Sequence, residues 1–161
     1  MFAVYYATMK SILTLLIFSI MLTLNTDAVQ AQARSGLGIN AGLNTSEYGM
    51  GYVGMFFGEI KVAKAVSVVP ALGYVIPSGL NLSLNGRYFF DESLYVNAGP
   101  LWNLASLEHG DFGLGGSAGV GLSQRVSRIS VVDFNFQVDL AHFNNALRPV
   151  VGVRVAFQGI F

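Results

Sequence analysis

Hydrophobic and polar residues alternate with a period of two along the C-terminal stretch Pro149–Phe161, which reads PVVGVRVAFQGIF. One face of this stretch carries Val151, Val153, Val155 and Phe157. The opposite face carries Arg154 and Gln158. Because successive side chains of a strand point to opposite faces, the pattern predicts an amphipathic β-strand that ends on the aromatic residue Phe161.

Two internal segments, Leu80–Phe90 and Ser130–Leu140, show the same alternation more clearly. Their apolar faces consist of Leu80, Leu82, Leu84, Tyr88 and Phe90 in the first segment and Val132, Phe134, Phe136, Val138 and Leu140 in the second. The opposite faces carry Asn81, Ser83, Asn85 and Arg87 in the first segment and Val131, Asp133, Asn135, Gln137 and Asp139 in the second. No stretch after residue 33 sustains an apolar period of 3.6 residues, so the pattern predicts an all-β protein.

Turn signals divide the chain into eight candidate strands. We place them at Gly36–Leu43, Gly49–Glu59, Ala65–Ile76, Leu80–Phe90, Leu94–Leu104, Phe112–Ser123, Ser130–Ala141 and Pro149–Phe161. The two longest connections, Ala105–Asp111 and His142–Arg148, both follow odd-numbered strands. Long loops at one end and short turns at the other are typical of an eight-stranded antiparallel up-and-down transmembrane barrel. Pro70 and Pro100 fall in mid-strand, where they indicate either a bulge or a misplaced boundary.

Residues 1–33 have the pattern of a cleavable signal peptide. Lys10 precedes the apolar run Ile12–Leu24, and Ala31-Gln32-Ala33 has small residues where a signal peptidase would cut. Met9 is a more natural start than Met1. The apolar run is shorter than the roughly 20 residues of a membrane-spanning helix, although a retained N-terminal anchor is the alternative. Residues 34–161 then form one domain.

Composition narrows the class of protein further. The formal net charge of the chain is zero, which gives no electrostatic reason to expect a nucleic-acid partner. There are no cysteines, so disulfides cannot stabilise this domain, and the 19 glycines disfavour helices. Stability must therefore come from a closed hydrogen-bonded architecture or from a well-packed core.

The C-terminal strand resembles the assembly signature of bacterial outer-membrane β-barrels, with Val153, Val155, Phe157 and Phe161 on its outward positions. Gly159 departs from that signature, which usually has a bulky residue there. The chain as a whole is similar by pattern to small OmpA-like and OmpX-like barrels of the porin-like superfamily. The resemblance implies an outer-membrane protein of a Gram-negative bacterium, with lipid and the barrel-assembly machinery as its partners. That machinery would recognise the last strand. The resemblance also implies a monomer without a cofactor or enzymatic activity. Its role would be structural or in surface interactions.

An eight-stranded barrel has an interior that side chains fill, so we expect a polar plug and no open pore. The predicted inward polar residues are Arg87, Asn97, Asn103, Asp133, Asn135, Gln137, Asp139 and Arg154. Buried carboxylates need partners, and Arg154 is expected to pair with Asp133 or Asp139. A proton path or a polar substrate site is the alternative interpretation of this set. Aromatic residues expected at the two membrane interfaces are Tyr74, Trp102, Tyr88, Phe90, Phe157 and Phe161.

One local motif suggests chemistry. Residues Ala141–Ala146 resemble the H-x-S-N element of outer-membrane lipid A deacylases, which implies His142 as the base and Asn145 as the matching asparagine. Asn144 stands where the nucleophilic serine would be, so such an esterase-like enzyme would be inactive. His109, Glu108 and Asp111 could suggest a metal, but we expect solvated loop residues and no metal site. A third hypothesis, a soluble periplasmic lipocalin-like binder, requires an apolar cavity and a polar exterior.

Overall fold

The computed structural model describes residues 33–76, 78–105, 112–143 and 146–161. The chain forms eight strands, which are β1 (Gly36–Ser46), β2 (Gly49–Lys61), β3 (Val66–Val75), β4 (Gly79–Phe89), β5 (Leu94–Ala105), β6 (Gly113–Arg125), β7 (Ser130–Phe143) and β8 (Ala146–Ile160). Each strand pairs antiparallel with the next, and β1 pairs with β8 to close the barrel. The predicted eight-stranded antiparallel barrel is confirmed, with every strand boundary within three residues of its predicted position. The predicted signal peptide lies, except for Ala33, outside the described residues.

One end of the barrel carries both termini of the strand series. Gly36 pairs with Ile160, so β1 begins and β8 ends at the same end, which we call the terminal end. The β2–β3, β4–β5 and β6–β7 connections lie there too, and the remaining connections lie at the opposite, distal end. Within the described ranges, no helix has the length and apolarity needed to cross a membrane.

The prediction of a long loop at His142–Arg148 was wrong. β7 continues through His142 to Phe143, β8 begins at Ala146, and the last pair of this hairpin joins Phe143 to Ala146. Phe143 is fully buried and packs in an apolar cluster with Leu101 and Val150. This burial stabilises the extended end of β7, although the polar residues around it had suggested a loop. In the other predicted loop, Ala105 ends β5, and residues 106–111 lie outside the described part of the chain.

Pro70 and Pro100 do lie in mid-strand, with their side chains on the outward face of β3 and β5. Pro70 interrupts the β2–β3 ladder for two residue pairs, and Pro100 interrupts the β4–β5 ladder in the same way. The register is unchanged across both gaps, because proline removes an N–H donor without adding a residue. The register shift in the β4–β5 ladder lies elsewhere, between Leu80 and Asn81.

The strands are staggered around the barrel. The register can be followed from Thr45 through β8, β7, β6, β5, β4 and β3 to Ile60 on β2. In the β1–β2 ladder, Gly36 pairs with Glu59, so Ile60 lies at the level of Ser35. One circuit around the barrel therefore starts at Thr45 and returns to the level of Ser35, a shift of ten residues along β1. Such a stagger tilts the strands, and with eight strands it leaves an interior that side chains can fill.

The inward faces of β2 and β3 are apolar, which the sequence pattern did not make clear. Their buried side chains form one cluster with β8, consisting of Val53, Met55, Phe57, Val69, Ala71, Val75 and Ala156. The outward faces of these two strands are also largely apolar. Because both faces are hydrophobic, the period-two alternation is weak in β2 and β3. The barrel interior therefore has an apolar side at β2–β3 and a polar side at β4, β7 and β8.

Candidate functional site in the barrel interior

A buried ion cluster links three strands that are far apart in sequence. Arg87 on β4 donates from Nη1 to Glu59 Oε2 at 3.0 Å and to Asp133 Oδ2 at 2.9 Å. The Ser67 hydroxyl donates to the second oxygen of Glu59, Oε1, at 2.5 Å. All four side chains are buried. One guanidinium thus compensates two carboxylates, and a hydroxyl provides a further hydrogen bond to one of them.

Aromatic rings enclose the guanidinium of Arg87. Its Cζ lies 4.1 Å from the ring centroid of Tyr95 and 5.9 Å from that of Phe89. Tyr95 has this position because the facing residue on β6 is Gly121, where a Cβ would lie only 2.3 Å from Tyr95 Cζ. The small inward residues of β6 thereby make room for a large ring opposite, and the ring face attracts the cation.

A second ion pair lies on the last two strands. Arg154 on β8 donates from Nη2 to Asp139 Oδ2 on β7, and Gln137 Nε2 donates to Asp139 Oδ1 at 2.7 Å. The sequence left Asp133 and Asp139 open as partners of Arg154, and the geometry selects Asp139. Asn135 lies between the two ion clusters, with its Nδ2 3.4 Å from Asn97 Oδ1.

A third arginine lies at the terminal end of the interior. Arg34 Nη1 donates to the Ser123 hydroxyl at 3.1 Å, and Nη2 donates to the Glu92 carbonyl oxygen at 3.1 Å. Partial burial lowers the pKa of Arg34, and the negative charge of Asp133 acts in the opposite direction. Arg34 and the two ion clusters together place three arginines, Arg34, Arg87 and Arg154, against three carboxylates, Glu59, Asp133 and Asp139. Their formal charges cancel.

A small cavity of about 40 Å³ separates the two ion clusters. Four buried polar atoms without a protein partner belong to residues that line it, namely Arg87 Nε, Arg154 Nε, Asn40 Oδ1 and Asn135 Oδ1. A space of this size accommodates about three water molecules, and these atoms are suited to binding them. It is far below the roughly 300 Å³ at which small-molecule pockets begin.

His142 faces outward near the distal end of β7. Its Nε2 lies 3.0 Å from the Leu114 carbonyl oxygen. Since a carbonyl can only accept, Nε2 must carry the hydrogen in this contact. The β6–β7 ladder ends at the Gly116–Leu140 pair, and the imidazole replaces the strand pairing beyond it. The other two residues of the deacylase-like motif, Asn144 and Asn145, lie outside the described residues, as do His109, Glu108 and Asp111.

The outward aromatic residues lie at the two ends of the barrel. Tyr74 and Trp102 lie toward the distal end, whereas Tyr88, Phe90 and Phe157 lie toward the terminal end. On β8, Val153, Val155 and Phe157 point outward and are about half exposed. A Cβ at Gly159 would have its nearest neighbour at 3.8 Å, so space does not dictate glycine at this position.

Sequence reasoning missed Glu59 and Tyr95. Glu59 follows the inward apolar residues Val53, Met55 and Phe57 at spacing two, so the register of β2 alone would have placed this carboxylate inside. A lone glutamate at the end of an apolar strand resembles a solvated end residue, which is why it was overlooked. Tyr95 could have been found from the run of inward glycines on β6, since empty positions on one strand require a large side chain on another.

Comparisons with known proteins concern the fold. No protein-family model matches the sequence, and no curated protein matches it. A solved structure from the de novo design of transmembrane β-barrels is 16% identical, with a TM-score of 0.55, over 81% of this chain and 99% of that one. The crystal structure of the N-terminal β-barrel domain of Pseudomonas aeruginosa OprF is 18% identical, with a TM-score of 0.52, over 79% of this chain and 99% of that one. The fold is that of a small transmembrane β-barrel.

Removing one partner of a buried ion pair tests the interior network. We expect Arg154→Met to lower the free energy of unfolding by about 3–5 kcal/mol, because it leaves Asp139 buried without its cation. The double variant Arg154→Met/Asp139→Asn should recover part of this loss, since the uncompensated charge is gone. Urea unfolding of the folded barrel in detergent micelles measures both. An unchanged unfolding curve for Arg154→Met would refute the pairing.

The contact between Gly121 and Tyr95 gives a second test. In Gly121→Ala the new methyl group would lie 2.3 Å from Tyr95 Cζ and 2.8 Å from the Phe134 carbonyl oxygen, so we expect a destabilisation of about 1–3 kcal/mol. Gly116→Ala on the same strand is the matched control, because its Cβ would point outward with its nearest neighbour at 3.8 Å. Equal urea midpoints for the two variants would contradict the packing of Tyr95 against Gly121.

Proposed function

We propose that this protein is an integral outer-membrane β-barrel of a Gram-negative bacterium, with a structural or surface-interaction role and an interior closed by side chains. The observation that carries the proposal is the inverted polarity of the barrel. Its wall exposes large hydrophobic residues, while its interior holds the charged network. A protein surrounded by water has the opposite arrangement.

The outer wall is apolar along the full length of the strands. Hydrophobic side chains exposed in the middle of the wall include Leu43, Phe56, Leu84, Val120, Phe136 and Val153. Among the strand residues that the structure describes, no outward-facing position carries Asp, Glu, Lys or Arg. A lysine or arginine facing lipid at the bilayer midplane costs about 2–4 kcal/mol, so this wall suits a hydrocarbon environment.

The small volume of the interior cavity favours a barrel closed by side chains and disfavours an open pore. The cavity of about 40 Å³ between the ion clusters holds water but no solute of metabolite size. The same dimension disfavours a lipocalin-like binder, which needs an apolar cavity large enough for its ligand. The polar residues that line the interior also disfavour a lipocalin-like binder.

The orientation and biogenesis of the barrel follow from the same proposal. The terminal end faces the periplasm, because the chain is exported through the signal peptide that we infer for residues 1–33. The assembly machinery recognises β8 through Val153, Val155, Phe157 and Phe161. Tyr74 and Trp102 lie at the outer interface, and Tyr88, Phe90 and Phe157 at the inner one. Closure of β1 on β8 leaves no free strand edge, which favours a monomer.

A lipid A deacylase-like activity has weaker support. His142 Nε2 donates to the Leu114 carbonyl oxygen, so Nδ1 is the ring nitrogen that would have to act as the base. The motif has Asn144 where a deacylase has its serine, and an amide cannot serve as the nucleophile. We therefore assign a non-enzymatic role, with no cofactor.

Electrophoretic mobility tests the architecture in its membrane. We expect the protein in the outer-membrane fraction, resistant to sodium carbonate extraction, with a band in SDS that shifts on boiling, because a closed barrel stays folded in SDS until it is heated. Carbonate-extractable protein without a heat shift would overturn the proposal and indicate a soluble periplasmic β-protein.

A charge placed on the outer wall tests whether lipid surrounds it. Phe136 faces outward at mid-strand and is 48% exposed. We expect Phe136→Arg to destabilise the barrel in phospholipid vesicles by about 2–4 kcal/mol. Val126→Arg, in the exposed β6–β7 turn, is the control and should change stability by less than about 0.5 kcal/mol. If the wall faced water, Phe136→Arg would behave like the control.

A further inference from the structure

The residues just before β1 lie across the mouth of the barrel at its terminal end. Ala33, Arg34 and Ser35 precede Gly36, the first residue of β1, and we call them the strap. Their hydrogen-bond partners belong to β2, to β6, to the β2–β3 and β4–β5 connections and to the residue after β8. The strap is therefore held from several sides of the rim.

Ala33 is part of the packed interior at this end. It is 2% exposed and belongs to one apolar cluster with Phe89 and Tyr95, each of which is 1% exposed. Its N–H donates to the Lys64 carbonyl oxygen at 2.7 Å. The first residues of a domain are poorly ordered unless contacts hold them, and Ala33 has such contacts through both its side chain and its backbone.

The other two strap residues hold Ala33 in place. The Arg34 guanidinium donates to the Ser123 hydroxyl and to the Glu92 carbonyl oxygen. The Ser35 hydroxyl accepts the backbone N–H of Lys61 at 3.1 Å, and the Ser35 carbonyl oxygen accepts the Phe161 N–H at 3.1 Å. The closure of the sheet by β1 thus continues into the segment that precedes it.

A chain that began at Arg34 would lose the contacts of Ala33. The methyl group would be missing from the cluster with Phe89 and Tyr95, and the Lys64 carbonyl oxygen would lose its donor. Tyr95 is also the ring that contacts the Arg87 guanidinium, with 4.1 Å between Cζ and the ring centroid. Buried methyl groups and hydrogen bonds both stabilise a fold, so the structure favours a mature chain that retains Ala33.

The sequence contains a second bond that a signal peptidase could cut. Such a site has short side chains at the first and third positions before the cut. Before the Ala33–Arg34 bond these are Ala33 and Ala31, and before the Ala31–Gln32 bond they are Ala31 and Val29. Only a cut at the second of these bonds leaves Ala33 in the barrel.

We propose that signal peptidase cuts the Ala31–Gln32 bond, two residues before the cut that the sequence pattern favours, and that the strap belongs to the mature barrel. This inference rests on the proposed export of the chain. The reaction is hydrolysis: water adds across the peptide bond, which leaves a carboxylate on Ala31 of the released peptide and an α-amino group on Gln32. The strap then closes the periplasmic mouth above the buried rings of Phe89 and Tyr95.

The first residue of the processed protein tests the position of the cut. The full chain is expressed with its own N-terminal residues in a Gram-negative host, and the heat-shifting barrel is purified from the outer-membrane fraction. Mass spectrometry of the intact protein and of its N-terminal peptide then identifies the first residue. We expect Gln32, either free or cyclised with loss of ammonia. A barrel that begins at Arg34, or at any other residue, overturns the inference and leaves the proposed function standing.

The stability of the processed protein tests the role of Ala33. In Ala33→Gly the cluster with Phe89 and Tyr95 loses one buried methyl group, so we expect a lower urea midpoint and a roughly fourfold larger unfolding equilibrium constant. Ala31→Gly is the matched control, because residue 31 is removed by a cut at either bond and glycine is also short. Equal midpoints for the two variants would mean that the mature barrel does not use Ala33, and would overturn the inference.

Processing kinetics separate the two bonds without requiring a folded barrel. Val29→Phe places a large side chain at the third position before the Ala31–Gln32 bond only, whereas Ala33→Phe obstructs the Ala33–Arg34 bond only. In pulse-labelled cells we expect Val29→Phe to accumulate precursor or to be cut at Ala33, and Ala33→Phe to be processed like the original chain. The reverse result overturns the inference. A chain that is never exported or cleaved contradicts the proposed function itself.

Discussion

The pairing of β1 with β8 is the constraint on which the rest of the structure depends. It runs from Gly36–Ile160 to Thr45–Val151 and removes both free edges of the sheet. Only a closed sheet can satisfy all its backbone groups in a medium without water. Closure with eight strands also fixes the interior as a narrow space. Every inward side chain must then find its partners among a few others.

The charged interior is a consequence of that confinement. Burying a carboxylate is costly unless it is paired and hydrogen-bonded. Glu59, Asp133 and Asp139 meet this condition through Arg87 and Arg154, and Arg34 at the mouth brings the formal charges to balance. Pairs of this kind are weak evidence for stability by themselves, because desolvation offsets much of their attraction. Their clearer effect is on register, since a slip of one residue would turn every charge toward the outer wall.

The sequence predicted the fold where the two faces of a strand differ in polarity. β4 and β7 alternate between leucine or phenylalanine and asparagine or aspartate, and their positions and inward residues were evident. β2 and β3 are apolar on both faces, so the pattern could not tell their inside from their outside. The extension of β7 to Phe143 was missed because His142 and its neighbours look like loop residues, although Phe143 is buried. Pair identities such as Arg154–Asp139 depend on register between strands, which no single strand reveals.

The apolar side of the interior gives Glu59 a special position. It is the one carboxylate that β2 and β3 direct inward, and it lies beside the cluster formed by Val53, Met55 and Phe57. Arg87 on β4 contacts Glu59 on one side and Asp133 of β7 on the other, so this ion cluster joins the apolar and polar sides of the barrel. The Tyr95 ring holds the guanidinium in place, and Gly121 makes room for the ring. The glycine at position 121 on β6 therefore allows Tyr95 to hold Arg87 where it can pair with Glu59 on β2. In this way the glycines of the sequence are connected to its ion pairs.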